Sequence, residues 1–268
     1  MATMPVKRDH HFHAESTVLH ADLKHPLHQE IKPQAFVKLS EGGGYLSEHS
    51  QDFRIEGVAS YKKAYTHVAG HRSQKPEGGW ITLVTSAVER LNVLDVVTAD
   101  RVVAQISTNH PDDGYIPSVT FLGTRFENLR IAGEPVTATL NINILGQKPA
   151  GDGLYLEDPA FLKLAGLASP PTGVGDQWKK HIAARKAGED MPKPGAAVNC
   201  SLATGVTAGP WKTSGNVIDV PDFGKIFLAE LKVECDTFHL TMIRLDMGCI
   251  ASGIMAVGGE IVNGTTKP

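Results

Sequence analysis

Val136-Thr137-Ala138-Thr139-Leu140-Asn141-Ile142-Asn143-Ile144 alternates apolar and polar residues without a break. Val136, Ala138, Leu140, Ile142 and Ile144 fall on one side and Thr137, Thr139, Asn141 and Asn143 on the other, as in an antiparallel strand with one buried and one wet face. Just upstream, residues 119–131 read as a further strand, and Ala132-Gly133-Glu134-Pro135 suits a turn joining the two into a hairpin. Residues 91–106 carry so many β-branched side chains that a long or bent strand is expected there, with Asp95 and Asp100 marking the bend. Residues 53–65 and 80–88 add strands, with Gly57 as a bulge in the first. In the last third, Phe227, Ala229, Leu231, Val233 and Cys235 alternate with Leu228, Glu230, Lys232 and Glu234, and a turn near Asp236 leads into residues 238–247.

Between 157 and 194 the texture changes. Asp158-Pro159 followed by Ala160-Phe161-Leu162-Lys163-Leu164 has the form of an N-cap with proline at N1 opening a short helix, and residues 177–187 form a second helical candidate. The expected fold class is therefore all-β: a jelly-roll-like antiparallel β-sandwich with one helical or irregular insertion over 157–194. A single domain over 1–268 is expected, with an extended N-terminal arm over 1–30, and residues 14–39, broken at Pro26 and Pro33, read as two extended segments of which at least one lies at a sheet edge.

Composition narrows the function classes. With 41% apolar and 21% charged residues the chain is that of a folded protein, and a formal charge of −3 gives no electrostatic basis for nucleic acid as a partner. No apolar run reaches the ~20 residues of a membrane span, and the first thirty residues lack a signal-peptide core, so the expected location is cytoplasmic by default, with leaderless export as the alternative. Cys200, Cys235 and Cys249 are odd in number and lack CxxC spacing, which points to reduced, buried thiols. Asn199-Cys200-Ser201 and Asn263-Gly264-Thr265 match the glycosylation sequon, a short pattern with a high chance rate.

No GxSxG elbow, phosphate-binding loop or dinucleotide fingerprint is present, so no catalytic residue is named. Six of the twelve histidines lie in the first thirty residues: His10, His11, His13, His20, His25 and His28. On a strand, His11, His13 and Glu15 share a side, and imidazole plus carboxylate is a competent ligand set for a transition metal. His11-Phe12-His13-Ala14-Glu15 resembles the first metal motif of cupins, although the acid follows too closely and the preceding glycine is missing. The alternative is a solvated histidine-rich arm. Asp95, Asp100 and Glu89 are read as acids at strand bends or on the wet face rather than a glycosidase pair, and His67 and His71 as solvated or hydrogen-bonded histidines near a loop rather than a helix-borne metal pair. Trp80, Trp178 and Trp211 with Tyr45, Tyr61 and Tyr65 have the faces needed to stack on sugars.

At Leu91-Asn92-Val93-Leu94-Asp95-Val96-Val97-Thr98-Ala99-Asp100-Arg101-Val102 and at Asn128-Leu129-Arg130-Ile131-Ala132-Gly133-Glu134-Pro135-Val136, the chain resembles bacterial β-sandwich proteins of the choice-of-anchor P type. The resemblance covers mainly residues 53–145 and implies strands and turns, with no catalytic residue. The functional expectation is a non-catalytic structural or interaction protein that assembles into homo-oligomers or filaments through its arm and sheet edges. Two other expectations stand beside it: a cupin-like metal-dependent enzyme using His11, His13 and Glu15, and a carbohydrate-binding module using Trp80 or Trp211.

Overall fold

The computed structural model describes residues 10–25, 28–55, 57–75, 78–112, 114–189, 191–248, 252–262 and 265–266. Two antiparallel sheets stack into a β-sandwich. The longer sheet comes from one contiguous run of chain, in which Gly44–Ile55, Ala59–Arg72, Trp80–Val93 and Val97–His110 follow one another as hairpins. Short strands at Ser118–Thr120, Arg125–Glu127 and Arg130–Ile131 line the far side of Val97–His110, and Glu134–Pro135 closes that margin. Val68, Val84 and Ile106 stand opposite one another across three strands and are fully buried, with Ala64, Val88 and Val102 four residues along. Alternate β-branched residues at these positions are what place one side of the sheet in the core.

The second sheet is gathered from distant parts of the chain. Its order is Lys212–Ser214, Val217–Val220, Gly224–Val233, Phe238–Met247, Ser252–Val262, Glu15–His25 and Gln29–Gln34. Leu19, Ala21 and Leu23 face inward with Leu228, Leu240, Ile243 and Leu245. Two hydroxyls cross between the sheets: Ser16 Oγ donates to the Thr85 carbonyl and Ser86 Oγ to that of Thr17, each at 3.2 Å.

The expected N-terminal arm is corrected by this arrangement over the described part. Glu15–His25 is an interior strand, held between Ser252–Val262 and Gln29–Gln34. Phe12 and Ala14 are buried, and the Phe12 ring lies so close to Gly43 and Gly70 that a Cβ at either would come within 2.7 Å and 2.5 Å of it. The apolar set Leu19, Ala21 and Leu23 needs cover on one side, which a solvated arm does not provide. Residues 1–9 of the arm, Pro26, Cys249, and Asn263 and Gly264 of the second sequon lie outside the described residues.

Two other differences have local causes. Residues 91–106 form a hairpin rather than one bent strand, because Leu94 and Asp95 both take left-handed backbone (φ 53° and 55°) and Asp95 N–H donates to Asn92 Oδ1 at 2.9 Å. The 136–144 stretch keeps its alternation, half-buried against exposed, but is a strand only over Thr137–Leu140. Asn141 Oδ1 accepts from Asn143 N–H at 3.2 Å and turns the chain, so that Ile144 and Leu145 enter the core from a turn. The turn at Ala132 and Gly133 forms as expected, yet Thr137–Leu140 pairs with Ala203–Thr207 rather than with the strands before it.

The longer sheet also changes the side it presents once along its length. Asp52 and Arg90 have positive φ (52° and 55°), and the row they start runs across the strands through Lys62 and Asp100. On one side of this row Ala64, Thr66 and Val68 point inward; on the other, Ala59 and Tyr61 do. Asp52 pairs with Lys62 and Arg90 Nη1 with Asp100 Oδ1 at 2.7 Å, so opposite charges hold the kinked residues together. In the insertion, Asp158 Oδ1 caps helix Pro159–Leu164 by accepting from Ala160 N–H at 2.8 Å. Phe161, Leu162, Val174, Trp178 and Ile182, the last three on helix Val174–Lys186, join the common core. None of the described helices is long and apolar enough to cross a membrane.

Candidate functional site

His11, His13 and Glu15 are not drawn into one ligand set. His11 Nδ1 approaches Glu41 Oε2 at 3.0 Å, whereas Glu15 Oε1 receives Lys38 Nζ at 2.6 Å and stands 3.8 Å from His13 Nε2. Among the described residues no group of three or more histidines, cysteines or carboxylates has the geometry to hold a metal ion. The other acids are tied locally: Asp95 to Asn92, Asp100 to Arg90 and Asn128, and Glu89 to Arg101 at 4.0 Å. Cys200 and Cys235 carry thiols pushed up to about 12, by burial in both and by the neighbouring Asp236 charge in the second, which keeps them protonated and unreactive.

The three tryptophans serve the interior. Trp80 is half-buried beneath the His10 ring, stacked at 5.1 Å with 12° between planes, and has Arg72 5.5 Å from its centroid. Trp178 donates Nε1–H to the Asp152 carbonyl at 3.0 Å, and partly buried Trp211 donates to that of Ile131 at 3.4 Å.

A chain of ionisable groups lies at the end of the sandwich covered by the helical insertion, with Asp236, His181 and His110 buried and Lys193 and Arg185 half-buried. Asp236, 1% exposed in the turn between Gly224–Val233 and Phe238–Met247, accepts from Lys193 Nζ at 2.6 Å through Oδ1. Its Oδ2 is buried with no hydrogen-bond partner among the described residues. His181, on the second helix, meets the Met191 carbonyl through Nδ1 at 2.7 Å, and Arg185, one turn on, lies 5.5 Å from the Tyr115 ring. The Nδ1 proton is therefore fixed and Nε2 carries the lone pair. Burial lowers the His181 pKa; Arg185 and Lys193 also lower it, while the Met191 carbonyl and Asp236 raise it. His110 is fully buried and is pushed down to about 3 by burial and then by Lys193. His10 is held at about 3 by burial, His110 and His11. This end keeps neutral imidazoles beside fixed charges without offering them to solvent.

The outer side of the longer sheet is built differently. Its margin strand, Gly44–Ile55, is exposed on both faces over most of its length, with Tyr45 at 67% and Leu46 at 45%. Tyr45 contacts the His67 ring at 4.4 Å, and His49 faces Tyr65 at 6.4 Å. The Arg101 guanidinium reaches over Ala87 to the Tyr65 ring at 5.7 Å and donates to its hydroxyl. Burial lowers the His67 pKa, and its Nε2 is buried without a partner among the described residues. Both His67 and His71 lie on the strand Ala59–Arg72, not in a loop.

Sequence reasoning missed His49, His67 and Arg101 as neighbours of Tyr45 and Tyr65, and missed Asp236, His181 and Lys193 altogether. The first group had a usable signal, since odd-numbered polar positions on adjoining hairpin strands share a face. The second had none, because its members meet only through tertiary packing.

A family model described as a domain of unknown function, DUF8256, matches residues 10–234, and the chain belongs to that family. Neither the curated proteins nor the solved structures contain a match.

Proposed function

We propose that this member of the DUF8256 family is a non-catalytic interaction protein that associates with a second copy of itself through the free margin of its longer sheet. The observation that supports this reading is the contrast among the sheet margins. Glu134–Pro135 is two residues long and contains proline, Lys212–Ser214 is three residues long, and Gln29–Gln34 carries Lys32 and Pro33. Each is a device that blunts pairing with another chain. Gly44–Ile55 is 12 residues long, has no proline, and bonds only to Ala59–Arg72 among the described strands. The kink at Asp52 limits its regular outer edge to residues 44–51. Two copies that pair antiparallel along this segment use the same margin in both, so assembly closes at a dimer rather than growing into fibres.

The test is sedimentation equilibrium of the untagged full chain across a concentration series, with Ser47→Pro and Glu48→Pro made separately. Neighbouring residues direct their N–H groups to opposite sides of a strand, so one proline blocks the outer margin while the other breaks the internal ladder. A concentration-dependent dimer that one variant alone abolishes, at unchanged thermal stability, is the expected result. A monomer at every concentration sinks the reading.

A further inference from the structure

The outer side of the longer sheet, distinct from its edge, has the composition of a ligand platform. In register, its rows are Tyr45 with Ala69; Ser47 with His67, Thr85 and Gln105; His49 with Tyr65, Ala87 and Val103; and Gln51 with Lys63, Glu89 and Arg101. Tyr45 and His49 stand on the margin strand and Tyr65 and His67 on its neighbour, and the next strand inward contributes only the small residues Thr85 and Ala87, so the rings rise beside a low floor. Tyr45 and His49 are four residues apart on one strand, roughly 13 Å at about 3.3 Å per residue.

We infer that this face binds an uncharged polyhydroxylated chain, a neutral oligosaccharide, across Tyr45, His49, Tyr65 and His67. Three features select that chemistry. The row Lys63, Glu89, Arg101 and Glu127 alternates in sign across four strands and sums to zero, so the face attracts neither polyanions nor polycations. Tyrosine and imidazole faces bury the apolar C–H side of a pyranose, while their polar tips stay available to hydroxyls. His67 Nε2 is buried without a partner among the described residues, and a shift of the adjacent exposed Tyr45 ring on binding would open it to a ligand hydroxyl. Arg101 acts as a positioning residue, holding the Tyr65 ring through its stack and hydrogen bond. The tryptophans named for sugar binding from the sequence take no part, since their contacts are internal.

The probe is a set of neutral hexasaccharides built from glucose, xylose, mannose or N-acetylglucosamine, titrated calorimetrically into the untagged full chain, with a hexamer of galacturonic acid as the charged comparator. At least one neutral hexamer binds saturably, Tyr45→Ala and Tyr65→Ala each weaken it about tenfold, and Trp211→Phe leaves it unchanged. Tyr45 is exposed, so its variant folds. Absence of binding by every neutral hexamer, binding of the charged hexamer alone, or affinity indifferent to both tyrosine variants overturns the inference. Sedimentation of the same samples keeps this result separate from the dimer, because the platform and the edge fail independently.

Discussion

The outer face of the longer sheet and the end of the sandwich under the helical insertion carry similar inventories of histidine, tyrosine, arginine, lysine and carboxylate, and they dispose of them in opposite ways. On the outer face Tyr45 and His49 stand in water, and the charged row compensates itself in the plane of the sheet. Under the insertion Asp236, His181 and His110 are all but sealed from solvent. The most strongly shifted imidazole, His110, lies at the sealed end, fully buried. The lesson is that a perturbed titration marks burial first. Availability to a partner is a separate property, and here it belongs to the other region.

Acid should separate the two regions most sharply. His110 and His10 have folded pKa values of about 3 against 6.5 when unfolded. Their contribution is complete above pH 6.5 and declines as pH falls from there toward 3, where the unfolded chain takes up protons that the folded one refuses. At about 1.4 kcal/mol per pH unit of difference, His110 alone accounts for a loss on the order of 4 kcal/mol. Urea denaturation between pH 7 and 4 measures it, and stability flat across that interval would break the comparison.

Next in size is Asp236→Ala. Removing the carboxylate takes the partner from Lys193, whose side chain is 34% exposed and can turn to water, and about 2 kcal/mol should be lost. A loss under ~0.5 kcal/mol would mean that this end is as solvent-tolerant as the outer face. Asp158→Ala, which removes the cap of the first helix, should cost about 1 kcal/mol, read from the same denaturation curves. Smallest is the effect of Tyr45→Ala on stability, within ~0.5 kcal/mol, because that side chain is two-thirds exposed; a larger loss would show the ring to be structural.

The contrast also accounts for what was legible in the sequence. The 227–247 hairpin and the Asp158-Pro159 helix start are local signals found where expected, whereas alternation holds only in part: one strand stops at Leu140, and Leu228 rather than Phe227 is buried ahead of Ala229, whose φ of 49° changes the face. Pairings of high sequence separation were not legible: nothing in Thr137-Ala138-Thr139-Leu140 names Ala203–Thr207 as its partner. The N-terminal histidines illustrate the same limit. They read as a solvated arm or a metal site, whereas His10 is packed between Trp80 and His110, some 70 and 100 residues away in the chain. Such placement follows from where Glu15–His25 is inserted in the second sheet, which periodicity cannot express. The platform residues came closer to view, since Tyr45 and Tyr65 stood out as sugar-stacking candidates, but their grouping with His49 and His67 needed the hairpin register.

The most direct test of the association claim is the mass of the untagged full chain by sedimentation equilibrium over a wide concentration range, repeated with proline at 47 and at 48. A reversible dimer lost in one of the two variants, with the other impaired in folding, is the predicted result. A monomer throughout, or a dimer untouched by either proline, contradicts association through the Gly44–Ile55 margin.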